Sequence, residues 1–161
     1  MIERDREYLK LRIKKYNINN GHKGWVFIGI TANNSFAPGQ YPGHDPTSYG
    51  WAGCPNSSSQ GQVFVAGQQQ VRLGGWSNFV EGDVIILEYQ PNTLTMVIER
   101  GEGITNRNSS SSSSNSRTTT TTYQLGITTR SQNYFFHFNF YWQNEEIEIL
   151  DMTIQDRQKF N

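Results

Sequence analysis

The chain has one cysteine, Cys54, in 161 residues, so an internal disulfide framework is excluded. It has no apolar run near the about 20 residues that a membrane-spanning helix requires. The N-terminal stretch MIERDREYLK is charged and lacks the apolar centre of a secretory signal. Together these absences point to a soluble intracellular protein, in which the Asn-X-Ser sequons at Asn33, Asn56 and Asn108 are incidental. Excess charge is missing too: 14 Lys plus Arg balance 14 Asp plus Glu. Such a chain has no net field to gather nucleic acid or an anionic bilayer. No repeat of solenoid period is present.

What is abundant is glycine, the small polar residues and aromatics, the last at 13 %. That mixture suits β-rich chains, where polar turns join aromatic and β-branched strands. In YLKLRIKKY, Leu9, Leu11 and Ile13 alternate with Lys10, Arg12 and Lys14, the period of a strand with one wet face. WVFIGIT, residues 25–31, is apolar on both faces and predicts a central strand covered from both sides. Residues 32–50 hold three prolines and three glycines with no sustained period, and loops this long are often functional. Further strands are expected over 49–52, 62–66, 69–73, 83–89, 94–100, 123–129, 133–141 and 145–150. Gln90-Pro91-Asn92-Thr93 reads as a hairpin turn between two of them. Ten short strands without a convincing helix predict an all-β antiparallel sandwich of two curved sheets. Gly29 and Gly126 fall in mid-strand, where a missing side chain permits close packing or a bulge. Gly82 suits a turn of unusual backbone conformation, and Asp83 after it can accept from neighbouring amides.

Signals for catalysis are weak. His22, His44 and His137 are scattered and lie in no metal-ligand spacing. His137, on the strand face opposite Phe136 and Phe138, reads as structural. His44-Asp45 lies in the Pro/Gly-rich loop and suits recognition better than hydrolysis. Cys54 has no evident base, cation or helix N-terminus to lower its pKa, so it reads as inert. The glycine-rich stretches fit no phosphate-binding loop or dinucleotide fingerprint. Glu146 and Glu148 in EEIEIL share a strand face about 7 Å apart along the backbone. A retaining glycosidase needs carboxyls about 5–5.5 Å apart, but the third acidic position of sandwich glucanases is absent. A solvated strand face is the better reading. The basic stripe Lys10, Arg12, Lys14 and Lys15 has no interleaved aromatics for stacking on bases.

Three blocks, in order, resemble the SPRY domain family. KLRIKKYNINNGHKGWVFIGIT is similar to its strand, variable turn and Trp-X-X-X-Gly-Ile strand. YGWAGCPNSSSQGQVFVAG is similar to the pair that follows. EGDVIILEYQPNTLTMVIERGE matches the Gly-Asp strand opening, hairpin turn and Thr-Leu return at Gly82-Asp83, Gln90 to Asn92 and Thr93-Leu94. YQLGITTRSQNYFFHFNF takes the place of the terminal strands. The likeness covers about residues 8 to 150. It departs at Glu99-Arg100-Gly101, where Asn-Gly is usual. The family also has further strands before the one at Leu9 to Tyr16, so one sheet edge is expected to be incomplete.

The resemblance implies a domain organisation and a function. Residues 1–7 are a charged N-terminal segment, 8–150 one sandwich domain and 151–161 a polar tail. The serines 109–114 and threonines 118–122 interrupt that domain without dividing it. They make residues 101–122 an expanded loop whose polar composition favours disorder. The implied function is non-catalytic binding of a protein or peptide partner, with no cofactor or metal and no role for nucleic acid or membrane. The family often serves scaffolds or the substrate-recognition part of ubiquitin ligases. Its contacts come from rim loops, here 33–49, 68–79 and 131–134. Phe36, Tyr41, His44, Tyr49, Trp76 and Tyr134 are the partner-binding candidates, since aromatics dominate interface hot spots. Tyr49 has a competing core role, as do Trp25 and Trp51. The rival reading is a lectin-like carbohydrate-binding module, against which stand the absent signal peptide, disulfide and clustered calcium ligands.

Overall fold

A computed structural model describes residues 7–15, 25–33, 35, 41–53, 61–71, 76, 78–101, 118–129, 133–140 and 145–153. Ten strands run in chain order: β1 Glu7–Lys15, β2 Val26–Thr31, β3 Tyr49–Gly53, β4 Gln62–Val65, β5 Gln68–Val71, β6 Val84–Gln90, β7 Thr93–Gly101, β8 Thr118–Gly126, β9 Phe135–Phe140 and β10 Glu146–Thr153. They form two antiparallel five-stranded sheets, ordered β10-β1-β6-β7-β8 and β5-β4-β3-β2-β9. This is the expected all-β sandwich. Among the described residues the one helical piece is a single 3-10 turn at Pro42–His44.

Alternation in sequence becomes layering in space. In the first sheet, Leu9, Leu11 and Ile13 of β1, Ile85 and Leu87 of β6, and Leu94, Met96 and Ile98 of β7 are buried. Val26, Ile28, Ile30, Tyr49, Trp51 and Val63 of the second sheet join them in one core. Each such aliphatic side chain removed from water contributes about 1.5–3 kcal/mol. The expectation that residues 25–31 are covered on both sides holds for 26–31: every residue of β2 is buried. A second cluster of Phe27, Ala52 and Phe64, with Trp25 against it, lies on the outer face of the second sheet.

Two turns fix the hairpins. Pro91 and Asn92 join β6 to β7 in the expected hairpin, with Gln90 opposite Thr93. Ala66 (φ 50°) and Gly67 (φ 72°) join β4 to β5, two left-handed residues as a two-residue hairpin loop of matching twist requires. Gly82 has φ 93°, and Asp83 accepts from Val80 N at 2.8 Å, as the Gly-Asp motif suggested. The departure at Arg100 also acquires a reason. Its guanidinium forks onto fully buried Asp83, Nε to Oδ1 at 2.8 Å and NH2 to Oδ2 at 2.7 Å. A paired charge is what permits a carboxylate to be buried there.

Three expectations are corrected. The threonine run is not loop: Thr118 to Thr122 are the first half of β8, paired with β7 from Gly101 opposite Thr118 to Val97 opposite Thr122. Threonine is β-branched, and the β7 edge gives its backbone hydrogen-bond partners, so local polarity does not decide its state. Residues 102–117 lie outside the described residues. Residues 151–153, expected in the polar tail, belong to β10, which runs on to Thr153. Of the two glycines expected to allow close packing or a bulge, Gly29 is closely packed, whereas Gly126, the last residue of β8, has nothing within 4 Å of a Cβ built on it.

Candidate functional site

Residues 41–48, which lead into β3, lie against the outer face of the second sheet, and their base is tied by one carboxylate. Asp45 is buried and accepts from Thr31 Oγ1, from Thr47 N at 2.9 Å, from Thr47 Oγ1 at 2.8 Å and from Ser48 Oγ at 3.3 Å. Burial alone would push its pKa up; the bonds from Thr31, Thr47 and Ser48 outweigh it and hold the carboxyl below its ordinary value. Thr31 Oγ1 and Thr47 Oγ1 in turn accept from the amides of Asn33 and Ala32, each at 3.0 Å. The two ends of the loop are thereby fastened together. Gly67 N donates to Ser48 O at 2.9 Å, which fastens the β4–β5 hairpin to the same base.

On this base stands Tyr41, immediately before the 3-10 turn. Its ring meets Phe64 edge-on at 5.4 Å, His44 edge-on at 5.8 Å and Trp25 at 5.9 Å. Its hydroxyl donates to Gln69 Oε1 on β5 at 3.0 Å, and burial raises its pKa. Even so, 37 % of the residue remains exposed. Trp25 is half-buried beside it and donates from Nε1 to Gln62 Oε1 at 3.1 Å. Beneath them Phe27 lies across the paired glycines 29 and 50: a Cβ on Gly29 would meet its ring at 2.7 Å and one on Gly50 at 2.9 Å. The two glycines thus make the bed for that ring. His137 faces Gly29 from β9, with its ring 5.8 Å from Phe27. Burial lowers the His137 pKa, partly opposed by the Asp45 carboxylate. The result is a fixed surface of two aromatic rings, two glutamine amides and an exposed imidazole.

Of the six candidates, the structure brings Tyr41 and His44 together at this surface, both exposed. Phe36 lies outside the described residues. Tyr49, Trp76 and Tyr134 are core residues, with at most 2 % exposure, and are corrected as contacts. Tyr49 accepts at its hydroxyl from Thr128 N at 3.2 Å and Thr129 N at 2.9 Å. Trp76 donates to Ala52 O at 3.1 Å and packs against Phe79 and Tyr123. Tyr134 donates to Thr129 O at 2.9 Å, and burial pushes its pKa up to about 12. Each ring fills the gap between the sheets while its polar tip finds a partner, the usual solution for a buried Tyr or Trp. Trp25, expected in the core, instead belongs to the outer surface. Gln62 and Gln69 were missed; Gln62 shares its strand face with Phe64, which stands opposite Gln69, while Val63 points to the other face.

Glu146 and Glu148 lie opposite Lys15 and Arg12 of β1. Glu148 receives Arg12 NH1 at 3.0 Å and Lys14 Nζ at 3.9 Å, while Lys10 reaches Glu99 at 3.7 Å. Acidic and basic stripes neutralise one another on the outer face of the first sheet. Among the described residues no group of three or more His, Cys, Asp or Glu is placed to hold a metal ion, and no helix is long and apolar enough to cross a membrane. Compared with known proteins, the chain matches no family model, no curated protein and no solved structure.

Proposed function

We propose that this chain is a non-catalytic interaction module of the SPRY type, which receives a protein or peptide partner on the surface around Tyr41. The partner's contacts are Tyr41 and His44, with Trp25, Gln62 and Gln69 beside them. The observation that carries this reading is the state of Tyr41. It is an exposed aromatic already held by three ring contacts and a hydroxyl hydrogen bond. Binding to a ring fixed in advance forfeits little rotamer entropy, and such rings make the strongest interface anchors. The matching order of strands and turns supports the SPRY assignment, and with it an intracellular scaffold or substrate-recognition role within a larger assembly.

The test is selection of peptides from a displayed library against the full chain, followed by affinity measurement on variants. Tyr41→Ala is expected to weaken a selected peptide by about 2 kcal/mol, roughly 30-fold, with unfolding still cooperative and the melting temperature lowered by only a few degrees for the lost ring contacts. An unchanged affinity in Tyr41→Ala and His44→Ala alike would sink the reading. Rings flanked by amides also suit a sugar; glycan-array binding that disappears in Tyr41→Ala would transfer the site to the lectin reading.

A further inference from the structure

The strongest unassigned surface is on the other sheet, at the free edge of β10. Met152, Ile149 and Ile147 stand opposite Leu9, Leu11 and Ile13, so they share the inner face of the first sheet. The β1 residues are at most 1 % exposed, yet Ile149 is 56 % and Met152 50 % exposed. The inner face therefore continues past the cover that the second sheet provides. The neighbouring edge is similar: Phe140 of β9 lies opposite buried Val26 and is 36 % exposed. The two edges belong to one flank, because Trp25 N, next to the β2–β9 pair, donates to Glu145 at the start of β10. Among the described residues β10 has one hydrogen-bonded neighbour, β1, which leaves a row of backbone groups facing outward.

The charges say what fits. β10 reads EIEILDMT, with Glu146, Glu148 and Asp151 opposite Lys15, Arg12 and Lys10 on the outer face. It carries three carboxylates and no cation. A second β10 brought alongside would set carboxylates against carboxylates, which is destabilising. The strand that β10 already accepts on its other side is apolar inward and basic outward. We propose that the free edge of β10 is a second docking site, which takes an extended partner strand alternating aliphatic residues with Lys or Arg. The strand adds as a sixth member of the first sheet, its aliphatics covering Ile149 and Met152 and its cations meeting Glu146 and Asp151. Main-chain bonds supply affinity and the alternating side chains supply selectivity. This surface is separate from Tyr41 and does not depend on the reading given to it.

The probe is a labelled peptide of the β1 sequence itself, YLKLRIKK, titrated into the full chain and read by anisotropy and amide exchange. Saturable binding is expected, with added protection on β10 amides and unchanged protection on β1. A scrambled peptide of equal composition should bind about tenfold more weakly or worse. Ile149→Lys and Glu146→Lys, both at exposed positions, should each weaken binding by about tenfold with unfolding midpoints kept, and Tyr41→Ala should leave it unchanged. Equal binding of the scrambled peptide, no binding at all, or indifference to both substitutions overturns the proposal. Loss of β1 protection would mean strand replacement and overturns it as well. A dimer of the chain that Ile149→Lys dissociates would assign the edge to a second copy instead.

Discussion

Strand β8 ends the first sheet with Thr118 through Thr122, exposed on both faces. Strand β10 ends it with exposed Ile149, Leu150 and Met152 beside three carboxylates. The second sheet repeats the contrast, with exposed Gln68 and Gln69 on edge strand β5 and exposed Phe135 and Phe140 on edge strand β9. Uncovered edges invite pairing with other chains, and proteins blunt them with polar side chains, charges or bulges. The β5–β8 flank is blunted by composition alone. The β9–β10 flank keeps its apolar face and relies on the carboxylates and on a bulge, where Lys10–Asp151 is followed by Leu11–Ile149 and Leu150 is the extra residue. One edge is blunted by polar side chains. The other refuses its own kind.

The largest effect that sharpens this contrast separates two residues facing each other. Leu11 and Ile149 are cross-strand neighbours on the same face, one buried and one 56 % exposed. Leu11→Ala should destabilise by about 3 kcal/mol, the middle of the range for a core cavity. Ile149→Ala should cost under about 1 kcal/mol, since most of its surface already meets water. Urea unfolding of the two variants measures both. An equal cost would break the comparison, because it would mean that the β10 edge is covered in solution.

A smaller effect tests the polar edge. Deleting Thr118 to Thr122 removes the partners of Gly101 back to Val97. Five ladder positions are lost, each hydrogen bond being worth about 1 kcal/mol net, with part offset by the released chain entropy. About 2 kcal/mol of destabilisation is expected by thermal unfolding. Deleting Ser109 to Ser114, which belong to no described strand, should shift stability by less than about 0.5 kcal/mol, because closing the chain between β7 and β8 depends only logarithmically on its length. Equal outcomes would return the threonines to the loop in which their composition first placed them.

That misplacement shows where the sequence stops being readable. Ten strands, the hairpin at Pro91-Asn92, the inner face of β1 and the double cover of β2 all followed from periodicity and turn chemistry. These are local signals that tertiary structure reinforces. The threonines failed because low complexity resembles disorder, while the pairing that orders them comes from β7, residues away in the chain. The aromatics failed for a different reason. Tyr41 lies in the middle of the Pro/Gly-rich segment and Tyr49 at its end, and nothing local says which ring faces water. The answer lies in the fastening of that loop by Asp45 and Thr31 to the outer face of the second sheet. The exposure of Ile149 was equally invisible, since EEIEIL alternates as well as any buried edge strand does.

The smallest expected effect concerns what the β10 carboxylates do. Arg12 and Glu148 are about equally exposed, with side chains at 43 % and 42 %. Solvent screens such a pair, so a double-mutant cycle of Arg12→Ala and Glu148→Ala should give a coupling of about 0.5 kcal/mol. The coupling should shrink further in 0.5 M salt, where the screening length is only about 4 Å. β10 would then be held to the sheet mainly by its ladder and by partly buried Ile147 packed against the core. A coupling above about 1.5 kcal/mol would assign Glu148 to holding the strand in place. A basic strand arriving on the far side would then compete with β1 for the same carboxylate. With a small coupling, Glu148 can turn outward to a partner at little cost, and Glu146 and Asp151 set the charge that the edge presents.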